Sequence, residues 1–130
     1  MNKVINIAVV GLGQIGIYLL NELNIKKKEI ELKTGKTINV VAVSARSINK
    51  KRRFKVNKKI FYKNPLEIFK QTKVDILFEA IGLSDGISKK VVETALKKKI
   101  HVITPNKALI SKHGDYLAKL AEDNEVNLEF

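Results

Sequence analysis

Cysteine is missing altogether from the 130-residue sequence. Its absence excludes disulfides, thiolate metal sites and cysteine nucleophiles together, and it suits a reducing cytoplasm. With His101 and His113 as the only two histidines, a zinc centre has no basis and no metal site is expected. Aromatic residues are scarce, at 6%, and no nucleic-acid motif is interleaved with the charge, which argues against a nucleic-acid partner. Long apolar runs are lacking too. The best candidate, IAVVGLGQIGIYLL, is broken by three glycines and a glutamine, leads into Asn21 and Glu22, and has no small-residue cleavage site. A membrane span and a signal peptide are therefore both rejected.

Acid is the remaining shortage. Twenty-five Lys and Arg stand against 13 Asp and Glu, a formal net charge of +12. Such an excess suits an anionic partner: nucleic acid, an anionic membrane face or a phosphorylated small molecule. Charge does not choose among them, and the basic tracts at 26–28, 50–53 and 97–99 read as solvated surface. The length suits one domain with one core and is short for a complete two-substrate enzyme.

What is present alternates between strand and helix. VINIAVV, residues 4–10, reads as a buried strand, and residues 14–24 place Ile15, Leu19, Leu20 and Leu23 on one helical face. A polar segment separates them from a second strand at 38–44, and the basic stretch 46–59 reads as a loop. Asn64, Pro65 and Glu67 mark a helix start, with a cap, a pre-set first position and an acid that reaches back; this short helix ends near Lys73. Then come a strand at 74–80, a helix through SDGISKKVVETALKK with Val91, Val92, Ala95 and Leu96 inward, a strand at 100–104, a helix over 111–123 and a last strand in VNLEF. Apolar strands separated by helices predict an α/β fold, a parallel sheet covered on both sides, and no repeat or linker divides residues 1–130.

GLGQIG, at 11–16, sits between the first strand and the first helix. In that context Gly11 permits a tight turn, Gly13 lets a pyrophosphate approach the backbone, and Gly16 lets helix and strand pack closely. The amides of Gln14 and Ile15 then lie at the positive end of the helix. The fold expected is of Rossmann type, a doubly wound sheet that binds a dinucleotide through Gly11, Leu12, Gly13, Gln14, Ile15 and Gly16. An acid for the ribose hydroxyls belongs after the second strand, but the sequence there is VSARSINKKRR. Arg46 suits a 2′-phosphate, with Ser47 beside it and Lys50, Lys51 or Arg52 adding charge, which favours NADP with NAD as the alternative. The bland reading of the lysines is a solvated basic loop.

FEAIGLSDG at 78–86 and HVITPNKALIS at 101–111 each turn from strand to helix where ligands gather in parallel sheets. With GLGQIG and KTGKTINVVAVSARS, they make the chain resemble the N-terminal nucleotide-binding domain of homoserine dehydrogenase along essentially its whole length. TPNKALI is the most specific piece. The resemblance implies nicotinamide-dependent interconversion of aspartate semialdehyde and homoserine, on the route to threonine and methionine. It assigns Lys107 the catalytic place beside the nicotinamide, where an ammonium stabilises a developing alkoxide. Thr104 and Asn106 would shape that turn, and Ala80, Ile81 and Gly82 would line the nicotinamide side. Glu79 stays open between a ligand role and an acid contacting local backbone.

Where the family usually has glycine before HVIT this chain has Lys99, which must turn left-handed or end its helix differently. The family also continues into a substrate-binding and dimerising domain carrying a further lysine and an aspartate, the proton-transfer pair. The resemblance therefore implies a homo-oligomeric, cytoplasmic full-length protein, and a 130-residue part that binds the dinucleotide without completing turnover. A free-standing nucleotide-sensing Rossmann module is the alternative, opposed by Arg46 and the TPNK turn. His101 is expected to be a hydrogen-bonded structural residue, and His113 to lie exposed in a helix start.

Overall fold

Alternate residues of β1 (Lys3–Val10) leave the strand in opposite directions, and at its carboxyl end both directions meet protein. Ala8 and Val10 join one buried cluster, while Ile7 and Val9 join another. A strand covered on both faces has no polar side to alternate with, which is why residues 4–10 read as an apolar run interrupted only by Asn6. The computed structural model describes residues 3–130.

Five further strands run parallel to β1 in one sheet: β2 (Lys36–Ser44), β3 (Phe61–Tyr62), β4 (Ile76–Glu79), β5 (His101–Ile103) and β6 (Leu128–Glu129). Their order is β3-β2-β1-β4-β5-β6, as the Rossmann expectation requires. The chain reverses direction across the sheet between β1 and β4, and that junction opens a crevice at the carboxyl ends of the strands.

Helix α1 (Gln14–Thr34) covers one face through Ile17 and Leu20, with Phe54, Val56 and Ile60 beside it. On the other face lie α2 (Ile68–Gln71), α3 (Ile87–Lys97) and α4 (Lys107–Asp123), which bury Ile68, Val91, Val92, Leu96, Leu109 and Leu117 completely. Each such side chain contributes on the order of 1.5–3 kcal/mol of burial free energy. The inward face read for α3 is therefore the one observed.

Several boundaries differ from the sequence reading. Helix α1 runs ten residues past Asn24, because the polar segment stays helical with Glu22–Lys26 and Glu29–Lys33 pairs one turn apart. Its inner face is Gly16, Ile17 and Leu20, with Leu19 and Leu23 half-buried, and Ile15 is 53% exposed. The Asn64 side chain caps as expected, but by accepting from the Leu66 amide of a 3-10 turn over Pro65–Glu67 that leads into only four α-helical residues. Glu67 pairs with Lys70 instead of reaching back. The two-residue β3 falls where no strand was expected. Helix α4 starts at Lys107 instead of 111 because Asn106 caps it, its Oδ1 accepting from the Leu109 amide at 3.0 Å.

Helix α3 ends as its unusual lysine required. Lys99 is left-handed, with φ 62°, and the amides of Lys99 and Ile100 return to the carbonyls of Leu96 and Ala95. Glu125, φ 58°, closes α4 the same way through its own amide and that of Val126. No helix among the described residues is long and apolar enough to cross a membrane.

Candidate functional site

Gly11 stands where β1 turns out of the sheet, with φ 91°. Its amide donates to the Ser44 carbonyl at 2.8 Å, and the Ala80 amide donates to the Val10 carbonyl at 2.8 Å, so the turn is tied to the strands on both sides. A Cβ at position 11 would lie 2.5 Å from the Ala80 carbonyl carbon. One at position 16 would overlap the Gly11 carbonyl. Gly13 is different: it is extended, at φ −77° and ψ −159°, and a Cβ there would meet nothing within 4 Å.

Two glycines thus close the packing around the bend while the middle one faces open space. No side chain caps α1, whose first amides, including those of Gln14 and Ile15, stand at its positive end. An oxyanion group placed over Gly13 would find backbone donors and no side chain in the way. Leu12, buried beneath the loop, anchors it to the core on the α1 face.

Beyond β2 the structure separates the basic residues into two kinds. Arg46 and Lys51 are exposed, and neither side chain has a hydrogen-bond or ion-pair partner among the described residues. Ser47, also exposed, turns its hydroxyl to the Asn49 amide. Arg52 is not available in the same way. Its guanidinium donates to the carbonyls of Ser47 at 2.6 Å, Lys50 at 3.2 Å and Leu12 at 3.3 Å, fastening the basic loop to the glycine turn. Of the charge offered by Lys50, Lys51 and Arg52, the arginine's is already engaged by backbone oxygen. A cleft of about 670 Å³ lies between this loop and α1, with Gly13, Gln14, Tyr18, Lys51 and Arg53 on its walls.

On the other side of Gly11, the loop after β4 carries Ala80, Ile81 and Gly82, the last with φ 91°. Glu79, at the end of β4, is fully buried. Its Oε2 accepts from the Ile81 and Gly82 amides, both at 3.0 Å, and from Asn106 Nδ2 at 3.4 Å; its Oε1 accepts from Thr104 Oγ1 at 2.6 Å. Asn106 Nδ2 also donates to the Leu83 carbonyl at 2.7 Å, and the Asn106 amide to Thr104 Oγ1 at 3.0 Å. The sequence reading assigned Thr104 and Asn106 to shape the turn, where they bond to Glu79 and to each other. It left Glu79 undecided, and the signal was an acid closing an otherwise apolar strand, VDILFEA. Lys107 occupies the first position of α4, exposed, its ammonium without a partner among the described residues.

Next to this network Asp85 meets Lys112 and His113, the latter with Nε2 2.7 Å from Asp85 Oδ1. The hydrogen bond from Lys112, and then that from His113, draw the Asp85 carboxyl down to about 2. His113 was expected to be exposed at a helix start; it lies inside α4 with its side chain 17% exposed, because α4 begins earlier and turns it toward the α3 entry. His101 accepts the Asn127 amide at Nδ1, a structural bond as expected.

The homoserine dehydrogenase NAD binding domain model matches residues 11–130, from the first glycine of the turn onward. The chain belongs to the homoserine dehydrogenase family. A homoserine dehydrogenase from Neisseria gonorrhoeae is 31% identical over 98% of this chain, and one from Bacillus subtilis 25% identical over the same share. The chain spans about 29% of the length of each of these relatives. Among solved structures, a Staphylococcus aureus homoserine dehydrogenase superposes with a TM-score of 0.92 at 32% identity, covering 100% of this chain and 32% of that one. A hyperthermophilic archaeal homoserine dehydrogenase mutant in complex with NADPH shares the fold, with a TM-score of 0.78, 22% identity and coverage of 98% of this chain and 43% of that one. As a homoserine dehydrogenase NAD-binding domain, the chain keeps both strand-end loops and the glycine turn within the matched span.

Proposed function

We propose that all 130 residues form the NADP-binding domain of an enzyme that interconverts aspartate 4-semialdehyde and homoserine, in the cytoplasmic synthesis of threonine and methionine. The observation that carries this reading is the clearance over Gly13, bounded by the tight contacts of Gly11 and Gly16 and facing the uncapped start of α1. A dinucleotide fits that geometry: the Gln14 and Ile15 amides hold the pyrophosphate, supported by Leu12 beneath. Arg46 takes the 2′-phosphate, with Ser47 and Lys51 beside it. That arginine is exposed and unpaired among the described residues, and the stretch directly after β2, ARSINKKRR, carries no acid to serve a bare ribose. This supports NADP over NAD.

Ala80, Ile81 and Gly82 line the nicotinamide end, beside a turn that the buried Thr104 and Asn106 shape. A nicotinamide held there would supply the hydride chemistry of the reaction. Lys107 contributes the charge: an ammonium at the crevice stabilises the alkoxide that forms when an aldehyde is reduced. Proton transfer and substrate orientation fall to the rest of the full-length protein, a homo-oligomer, so this chain alone binds cofactor without sustained turnover.

Titration of the purified chain with NADPH and NADH at matched ionic strength, repeated for Arg46→Asp, tests the reading. NADPH binds more tightly to the parent chain, and the preference collapses in the variant. Equal affinity for the two cofactors, or an unchanged ratio after substitution, refutes the NADP assignment.

A further inference from the structure

We propose that Glu79 is a positioning residue for the nicotinamide half of the site, a role that rests on the dinucleotide reading above and goes beyond it. Every group that reaches the buried carboxylate is a donor: the amides of Ile81 and Gly82, the Thr104 hydroxyl and the Asn106 amide nitrogen. Among the described residues no cation pairs with it, and its hydrogen bonds are directed at two loops that arrive from different strands. Its Oε2 wraps the β4 loop into a turn. Its Oε1 fixes Thr104, whose hydroxyl oxygen then accepts the Asn106 amide.

Asn106 passes the constraint on. Its nitrogen bridges Glu79 and the Leu83 carbonyl, while its oxygen caps α4 at the Leu109 amide. Lys107 is the next residue. The floor for the nicotinamide ring and the first turn that carries Lys107 are thus held in one register by a single carboxylate. The opposite end of the site, Gly13 and Arg46, receives no bond from this network. Glu79 therefore acts on one half of a bound dinucleotide and leaves the other alone.

The test compares NADPH with adenosine 2′,5′-bisphosphate, which carries the phosphate-bearing ribose and lacks the nicotinamide. Both are titrated against the parent chain, Glu79→Gln and, as a second variant with nearly the same shape, Thr104→Val, with circular dichroism confirming the fold. Glu79→Gln turns an amide NH₂ toward a donor, so NADPH affinity falls about tenfold. Affinity for the bisphosphate, whose contacts are remote, stays within about twofold. The change in nicotinamide fluorescence on binding shrinks in both variants. Equal loss for the two ligands, or no loss for either, overturns the positioning role while the cofactor reading stands. If the parent chain binds neither ligand, the cofactor reading fails and the role falls with it.

Discussion

Gly16 lies so close to the carbonyl of Gly11 that a methyl group on residue 16 would overlap it. The obstacle is backbone, which yields far less readily than a side chain. Gly16→Ala is therefore expected to cost about 1–3 kcal/mol of folding stability. Gly13→Ala is the contrasting case. Its added methyl meets no protein atom and its φ suits alanine, so stability changes by less than about 0.5 kcal/mol while affinity for the dinucleotide drops. Urea denaturation and cofactor titration on the two variants separate packing from clearance; equal stability for both would contradict the geometry.

Lys99 holds a left-handed backbone that glycine adopts without steric cost. Its ammonium contributes only a long, exposed contact to the Asn124 carbonyl. Lys99→Gly is expected to stabilise the domain by about 1 kcal/mol, the relief of left-handed strain less the entropy lost by glycine on folding. A denaturation midpoint that moves downward would show the lysine side chain to matter more than its backbone.

Arg52 joins the basic loop to the glycine turn through carbonyls of Ser47, Lys50 and Leu12. Arg52→Met keeps much of the side-chain length and removes the donors. The loop then opens more often, and trypsin cleaves at Lys50, Lys51 and Arg53 faster than in the parent chain. Because one wall of the cleft beside α1 moves with it, cofactor affinity also falls. An unchanged cleavage rate would mean that the loop is held by its apolar residues, Phe54 and Val56, alone.

Asp85 titrates far below an ordinary carboxylate because Lys112 first, and His113 second, bond to its charged form. A depressed folded value means that its contribution to stability is present above the usual value of 3.8 and is lost as pH falls toward about 2. Carboxyl NMR titration should find a midpoint near 2 in the parent chain, moving upward in Lys112→Met. A midpoint that stays put in the variant would remove Lys112 as the main cause.

Much of this fold was readable because buried parallel strands cannot alternate: VINIAVV, INVVAVS and VDILFEA announce themselves as mostly apolar runs with no alternating polar face. The three glycines were readable for a related reason, since each replaces a side chain that the fold has no room for or a ligand cannot tolerate. The second half of α1 was hidden by its composition. Its outward residues Ile25 and Leu32 are exposed, so no apolar periodicity marks that stretch. The start of α4 was obscured because Asn106 does two things, capping a helix and joining a buried network. Glu79 could not be resolved at all from local spacing: two of its partners lie 25 and 27 residues away, brought near only by the pairing of β4 with β5.

The peptide joining Ala80 to Ile81 faces Gly11 across the reversal in the sheet, main chain against main chain. Where two halves of a cleft meet without intervening side chains, their separation is inherited from strand geometry and is insensitive to most substitutions nearby. If Arg46 reads the 2′-phosphate as proposed, retuning the domain toward another dinucleotide would be a matter of exchanging residues on the rim, with the backbone contact between Gly11 and Ala80 undisturbed.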